Sequence, residues 1–431
     1  MPDMTLAIWL LFGVFAVLLV LRVPISVSLI LSSIVTAFYL KIPLLIISQQ
    51  MVKGIQSFAL LAIPFFIIAG EMMGEGGMSR RLIEFSNIIV GRLRGGLALV
   101  NVLASMFFGG ISGSAVADAS SIGSIMIPMM KKKGYDTDYS VGVTITGACQ
   151  GVLIPPSHNM IIYSVAAGGV SVGALFLAGA LPGILLGVGL MISSFVIAVN
   201  RGYPKGEKVT LWQAIKHTKD AVLGLFTAVI IMGGVLSGIF TATESAAIAA
   251  VYAFIVTFFV YREIPLSRMK GILYKSLKTL AMVMTLIATA SAFGYIMAYL
   301  RVPALATEAL LSISSNKYVV LLLINILLLV LGCIMDMAPL IVICTPILFP
   351  VITKLGIDPV HFGVIMILNL AIGLCTPPVG SALFVGCAVG KISIEKMIRA
   401  MLPFYATMIA VLLLVTYVPD LVLFLPKLFI K

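Results

Sequence analysis

Four short stretches place polar or helix-breaking residues inside otherwise apolar sequence, and their residue types suit ion binding. They are Ser112-Gly113-Ser114, Pro155-Pro156-Ser157-His158-Asn159, Asp336-Met337-Ala338-Pro339 and Thr376-Pro377-Pro378-Val379-Gly380-Ser381. A helix that breaks at such residues exposes backbone carbonyl groups at the end of its first half and backbone N–H groups at the start of its second half. The carbonyl groups can hold a hard cation such as sodium, and the N–H groups, at the positive end of the helix dipole, can hold an anion.

Each stretch is therefore assigned a binding role, with no catalytic residue, no cofactor and sodium as the only metal. The predicted sodium ligands are Ser112, Gly113, Ser114, Pro155, Asp336, Ala338, Thr376 and Gly380. The predicted substrate-binding residues are Ser157, His158, Asn159, Pro378 and Ser381. Two simpler interpretations stay open: the proline pairs kink their helices only for packing, and Asp336 only caps a helix.

Composition indicates that the elements that hold these stretches lie in a membrane. Of the 431 residues, 61% are hydrophobic and 10% are charged, and the mean hydropathy is +1.19, which is typical of a polytopic helical membrane protein. The net charge of +12 lies mainly in short loops, so the positive-inside rule explains it better than a nucleic-acid partner. No signal peptide is recognised at the N-terminus. The five cysteines are small buried hydrophobes without metal-ligand spacing.

Apolar runs of spanning length predict about ten transmembrane helices. They cover residues 4–21, 25–40, 58–77, 139–170, 173–199, 221–240, 243–261, 276–300, 360–390 and 402–425. Two longer segments, 95–130 and 318–353, are each interrupted near the middle and flanked by polar residues. We predict two re-entrant helical hairpins there, with their irregular tips held inside protein.

An internal repeat supports the hairpins. A shift of 222 residues, the distance from Pro155 to Pro377, superposes glycines, prolines and aspartates in one ungapped register. Strongly basic loops at 200–220 and 262–278 predict cytoplasmic positions. Counting spans from these loops predicts that the first hairpin enters the membrane from the cytoplasm and the second from the periplasm, with both termini in the periplasm. Two inverted-topology repeats with broken helices are typical of secondary transporters.

Isolated ionisable residues in the apolar segments are candidates for a function, because charges at membrane depth are costly. For Asp118 a structural hydrogen bond is at least as plausible as ion binding, and for Glu71 and Glu244 structural pairing or water exposure is favoured. Arg301, at an outer span end, could attract an anionic substrate, but a snorkelling side chain is the commoner explanation. His158 is either a substrate ligand or a satisfied interhelical histidine.

Several segments resemble the large membrane subunit of tripartite ATP-independent periplasmic (TRAP) transporters. They are "FALLAIPFFIIAGEMM", "GGISGSAVADASSIGSIMIPMM", "IMDMAPLIVICTPILFPV" and "GIDPVHFGVIMILNLAIGLCTPPVGSALFV". The resemblance covers nearly the whole chain. It implies sodium-driven uptake of an organic acid, such as sialic acid or a C4-dicarboxylate, across the bacterial inner membrane by an elevator motion. It also implies a periplasmic binding protein, a separate small four-span membrane subunit and contact with membrane lipids.

The resemblance divides the chain into four parts. They are 1–94 (scaffold spans and arm), 95–199 (first transport repeat), 200–317 (basic linkers and central scaffold spans) and 318–431 (second transport repeat). Basic stretches around 208–220 and 262–278 are expected to form interfacial arm helices.

Other function classes account for less of the sequence. An intramembrane serine protease would use "GISG" with His158, but it gives no role to a second, inverted hairpin. A channel would need a continuous pore, and a primary pump a phosphate-binding loop that the sequence lacks. A sodium/anion symporter that works without a binding protein also stays open.

Overall fold

The computed structural model describes residues 3–206 and 209–430, and these form a bundle of helices. The first half contains α1 (Met4–Val20), α2 (Ile25–Leu40), α3 (Leu44–Ile55), α4 (Ala62–Glu75), α5 (Met78–Val90), α6 (Gly96–Ser112), α7 (Ala115–Lys132), α8 (Thr137–Gly151), α9 (His158–Ala166) and α10 (Val172–Asn200). The second half contains α11 (Leu211–Leu236), α12 (Ala242–Ile255), α13 (Met269–Tyr299), α14 (Val302–Ile313), α15 (Lys317–Gly332), α16 (Met337–Lys354), α17 (Pro359–Leu374), α18 (Ser381–Gly390), α19 (Ile394–Tyr417) and α20 (Pro419–Phe429). A 3₁₀ turn, Phe58–Leu61, leads into α4, and a π-helical turn, Val256–Tyr261, extends α12.

Both predicted hairpins are pairs of helices. The segment 95–130 folds as α6 and α7, and the segment 318–353 folds as α15 and α16. Gly113 ends α6 in the left-handed region at φ +63°, a conformation that glycine adopts without strain. Ser114 and Asp336 then cap α7 and α16 with their side chains, which is why a new helix begins within a few residues of each tip.

Both predicted broken helices are also present. The span 139–170 consists of α8 and α9, and the span 360–390 consists of α17 and α18. The two proline pairs lie in the gaps, and both Pro–Pro bonds are cis. A proline at these positions removes a backbone donor and cannot continue a helix, so the first half-helix ends at the residues that precede it.

Helices of the two repeats interleave, and the remaining helices pack largely among themselves. α18 of the second repeat packs on α7 and α8 of the first, and α10 packs on α19. α13 runs along α2, α3 and α4. α16 contacts both α9 and α13, so the second hairpin lies between the repeat helices and α13.

The structure corrects several details of the sequence interpretation. Three helices were not predicted: α3, α5 and α14. The buried face of α5 combines Met78, Leu82 and Ile83 with two serines. On its exposed face, Arg80 and Glu84 form an ion pair with an N–O distance of 3.1 Å. A hydropathy window averages these two faces, which is why the helix was missed.

The basic stretches around 208–220 and 262–278, expected to form interfacial arm helices, continue into longer helices. Residues 211–220 are the first turns of α11, and residues 269–278 are the first turns of α13. Lys208, counted among the loop charges, lies outside the described residues. The span 58–77 ends at Glu75, because Gly76 and Gly77 follow, and the span 402–425 is interrupted before Pro419.

Within the described residues, seven helical segments are long and apolar enough to cross a membrane. They are Phe58–Glu75, Val172–Asn200, Leu211–Leu236, Ala242–Tyr261, Leu266–Tyr299, Met337–Lys354 and Ile394–Tyr417. The predicted first two spans are shorter, with 17 residues in α1 and 16 in α2. The count of about ten spans therefore stays a prediction.

The loop that follows α10 is fixed to the start of α8 by an ionic network. The Arg201 guanidinium donates to both carboxylate oxygens of Asp138, each at 3.1 Å. It also donates to Asp136 at 3.0 Å, and Asp136 accepts from the Tyr203 hydroxyl at 2.6 Å. The pKa of Asp138 is lowered: its partial burial would raise the pKa, but the hydrogen bond from Arg201 and the backbone donors outweigh that effect.

Candidate functional site

The first hairpin tip contacts the break between α8 and α9. The Asn159 side-chain amide donates to the Gly113 carbonyl at 3.5 Å. A Cβ atom on Gly113 would lie 2.7 Å from Nδ1 of His158, so the tip and the break approach too closely for a side chain there. The Ser114 hydroxyl accepts from the Ala117 N–H at 3.3 Å. The tip is thus held by one helix cap and by contacts from the start of α9.

The second hairpin tip contacts the break between α17 and α18 in a similar way. The Asp336 carboxylate accepts from the Met337 N–H at 2.9 Å and from the Ser381 hydroxyl at 3.3 Å. The Val379 N–H donates to the Cys333 carbonyl at 2.9 Å. Asp336 therefore caps α16 and also accepts a hydrogen bond from the helix break, so its capping role leaves a role as cation ligand open.

The same repeat register relates these contacts. Asp336 lies 336 − 114 = 222 residues after Ser114, and both cap the second helix of a hairpin. Ser381 lies 381 − 159 = 222 residues after Asn159, and both side chains donate to the tip of their own hairpin. The repeat thus conserves the arrangement of tip and break although the residue types differ.

Glycine contacts hold each hairpin against its broken helix. A Cβ atom on Gly109 would lie 2.3 Å from the Cα of Gly151, and one on Gly373 would lie 2.6 Å from the Cα of Gly332. Real Cβ atoms do not approach backbone so closely, and backbone cannot rotate away as a side chain can. Only glycine lets α6 meet α8, and α15 meet α17, at this separation.

A cavity of about 840 Å³ lies beside these tips and breaks. Seven of the predicted site residues line it: Ser112, Ser114, His158, Asn159, Asp336, Ala338 and Ser381. The helices α7, α9, α16 and α18 all begin at or next to the cavity. Their N-terminal N–H groups and positive dipole ends therefore make this region favourable for an anion.

The other six predicted site residues do not line this cavity. They are Gly113, Pro155, Ser157, Thr376, Pro378 and Gly380. Ser157 is fully buried, and its hydroxyl has no hydrogen-bond partner among the described residues. The Thr376 hydroxyl donates to the Ile372 carbonyl at 2.7 Å. The substrate roles predicted for Ser157 and Pro378 therefore stay predictions.

The cavity is also lined by charged residues of α4 and α13, to which the sequence interpretation gave no binding role. Glu71 and Glu75 of α4 and Lys275 of α13 line the cavity, and Lys275 forms an ion pair with Glu75. Glu71 had been assigned to structural pairing or water exposure. Its spacing of four residues from Glu75 places both on one helix face, but nothing in the sequence showed that this face meets the hairpin tips.

Two further ionisable candidates, Asp118 and Glu244, have structural partners. Asp118 is fully buried and accepts from the Ser105 hydroxyl at 3.2 Å. Glu244 accepts from the Thr241 N–H at 2.8 Å in a capping box, which confirms its structural role.

Across residues 3–206 and 209–430, no group of three His, Cys, Asp or Glu side chains could hold a metal ion. A cation at the tips would depend on backbone carbonyl and hydroxyl oxygens together with single carboxylates.

Comparison with known proteins places the chain in a family. Residues 12–421 match the family described as the tripartite ATP-independent periplasmic transporter, DctM component. The uncharacterized protein YgiK of Salmonella typhimurium is 45% identical, with 97% of each chain covered. The C4-dicarboxylate TRAP transporter large permease protein DctM of Rhodobacter capsulatus is 38% identical, with 97% of this chain and 98% of the relative covered.

A solved structure shares the fold at low sequence identity. The YdaH transporter of Alcanivorax borkumensis has a TM-score of 0.62 and 14% identity, with 85% of this chain and 86% of that chain covered. At this identity the likeness concerns the fold alone.

Proposed function

The chain belongs to the family of the DctM component of tripartite ATP-independent periplasmic transporters, and from that premise we propose that it couples sodium entry to uptake of an organic acid anion. The observation that carries the proposal is the paired contact of hairpin tip and helix break, once in each repeat, beside one cavity. One sodium ion bound in each repeat, with the substrate between them, fits this arrangement.

Coupling would follow from differential affinity. The polar side chains at the tips include Asp336, and the cavity receives four helix N-termini. Sodium ions at the tips would supply positive charge and hold the tip backbone in place, so that its N–H groups receive the substrate carboxylate without further ordering. An anion without sodium would meet a mobile tip and an uncompensated Asp336. Each ligand would therefore raise the affinity for the other.

The cavity would be open toward the cytoplasm. Its lining includes Pro24 before α2, Glu75 at the end of α4 and Lys275 near the start of α13. The basic loops place all three of these helix ends on the cytoplasmic side. Movement of the hairpin-bearing repeats against α2, α4 and α13 would carry the site to the periplasmic side, which is an elevator mechanism.

The proposed partners are a small membrane subunit and a periplasmic binding protein that delivers the anion. The proposed location is the bacterial inner membrane, with both termini in the periplasm. Sialic acid, a C4-dicarboxylate or a similar carboxylate is the proposed cargo class.

Reconstituted uptake tests the proposal. The chain and its small partner subunit are placed in proteoliposomes, with the cognate binding protein outside and an inward sodium gradient imposed or replaced by potassium. Uptake of radiolabelled sialate, gluconate or succinate that requires both sodium and the binding protein supports the proposal. Uptake that is indifferent to sodium contradicts the coupling, and uptake without the binding protein favours a two-component symporter.

A further inference from the structure

The charges that face the cavity are unbalanced. Three carboxylates line it, Glu71, Glu75 and Asp336, and Lys275 is the only lysine or arginine among the lining residues in the part of the chain that the structure describes. With His158 neutral and before any sodium ion binds, three carboxylates and one ammonium group give a formal charge of −2. Lys275 is already paired with Glu75, so the described lining residues include no unpaired lysine or arginine.

The two walls differ in chemistry. The hairpin side offers hydroxyl and amide groups, among them Ser112, Ser114, Ser120, Ser121 and Asn159. The side formed by α4 and α13 offers Glu71 and the Glu75–Lys275 pair. Helix N-termini at the tips suit one carboxylate. Serine hydroxyls and an amide suit a substrate body that carries its own hydroxyl groups, because each can both donate and accept.

A second negative charge on the substrate has no comparable partner. A substrate with one carboxylate at the helix N-termini would share the cavity with Glu71 and Glu75 of α4, which also line it. A dicarboxylate would then bring its second charge near Glu71 and Glu75 in a confined, partly hydrated space, where like charges repel more strongly than in water. The repulsion disfavours dianions, whereas a hydroxylated monoanion avoids it.

We propose that this cavity selects hydroxylated monocarboxylates, of the sugar-acid class, and discriminates against dicarboxylates, with Glu71 and Glu75 as specificity-determining residues. The inference rests on the proposed function, since it concerns the anion that occupies the same cavity. It departs from the cargo named for the Rhodobacter capsulatus relative, which is a C4-dicarboxylate.

The test is equilibrium binding to the purified complex of this chain and its small subunit, in sodium and without the binding protein, so that upstream selection plays no part. Radiolabelled gluconate, glucuronate and 2-ketogluconate are compared with succinate. We expect at least one monoanion to bind about tenfold more tightly than succinate, the size expected for one added charge near two carboxylates. Succinate that binds as tightly as the best monoanion, or a panel in which no monoanion binds, overturns the inference.

Variants at the ion pair make the test specific. Glu75→Gln keeps the side-chain shape, removes one carboxylate and frees Lys275, so succinate affinity should rise about tenfold while monoanion affinity changes much less. Glu75→Gln combined with Lys275→Met should lose most of that gain. Glu84→Gln is the matched control, because Glu84 of α5 pairs with Arg80 of the same helix and with His217 of α11, and it does not line the cavity. If the ratio of succinate affinity to monoanion affinity is the same in Glu75→Gln as in the wild type, the proposed role of Glu75 is contradicted.

A thermal-stability readout separates this failure from failure of the proposed function. Sodium should raise the Tm of the same complex relative to potassium. A complex that sodium stabilises but that prefers succinate keeps the coupling proposal and rejects the selectivity. A complex that sodium does not stabilise contradicts the coupling proposal itself.

Discussion

Replacing Asp336 by asparagine removes one charge from the second hairpin tip and leaves its hydrogen bonds almost unchanged. The Asp336 side chain accepts from the Met337 N–H at 2.9 Å and from the Ser381 hydroxyl at 3.3 Å. An asparagine side-chain oxygen can accept both hydrogen bonds, and asparagine caps helices about as well as aspartate. The variant should therefore fold with a Tm close to that of the wild type.

The effect on sodium follows from the charge alone. Two unit charges about 4 Å apart attract by about 1 kcal/mol in water and about 4 kcal/mol at an effective dielectric constant near 20. Asp336 is exposed to the cavity, so the lower part of this range applies. A loss of about 1.4 kcal/mol weakens binding about tenfold. The sodium concentration for half-maximal uptake should rise by about that factor in Asp336→Asn.

The assay is sodium-activated uptake in proteoliposomes, with protein stability measured in parallel. Asp358→Asn is the matched control, because Asp358 also caps a helix, α17, by accepting from the Val360 N–H at 2.7 Å, and it does not line the cavity. Equal sodium activation in wild type, Asp336→Asn and Asp358→Asn would remove Asp336 from the cation site. A large fall in Tm in Asp336→Asn would show that the cap explanation is incomplete.

Three further predictions concern the tip, the glycine contact and the ionic loop. Ser114→Ala removes the cap of α7, so stability should fall by about 1 kcal/mol and the sodium requirement of uptake should rise; unchanged sodium activation would exclude this hydroxyl as a ligand. Gly373→Ala would place a Cβ atom 2.6 Å from the Gly332 backbone, so overpacking should destabilise the fold by about 1–3 kcal/mol and lower the Tm. Gly294→Ala is the control, because a Cβ atom there would have no neighbouring heavy atom within 4 Å, and its Tm should not fall. Equal Tm values in the two variants would refute the close contact. The pKa of Asp138 is lowered, so its pairing with Arg201 stabilises the fold above the ordinary carboxyl pKa of about 4, and this stability is lost as the pH falls through the lower folded-state pKa. Arg201→Gln should therefore lower the Tm at neutral pH and make the fall of Tm below about pH 4 less steep. Parallel curves of Tm against pH in the variant and the wild type would contradict this.

The hairpins and broken helices could be predicted because their signals are local. Proline pairs, Gly113 and the capping residues Ser114 and Asp336 act within a few positions of themselves, and the repeat supplies each signal twice. The chain terminates and restarts its helices where these residues require it. This is why α6, α7, α15 and α16 lie within a few residues of their predicted bounds.

The scaffold side of the cavity could not be predicted in the same way. Glu71 and Lys275 are about 200 positions apart and in contact with one cavity only because α4 packs on α13. Glu71 lies in a segment that resembles the family, but that segment does not show which residues it faces, and a charge near the end of an apolar run is more often explained by water exposure. Long-range packing, rather than local residue chemistry, brings the two glutamates into the same cavity as the hairpin tips.

Cryo-electron microscopy of the complex in sodium and in potassium tests the paired-site account most directly. In sodium, we expect one density peak between the first tip, at Gly113 and Ser114, and the break before His158, and a second between Asp336 and the break before Ser381. Both peaks should be lost in potassium. Well-ordered tips without either peak in sodium would contradict the assignment of the tips and breaks as sodium sites.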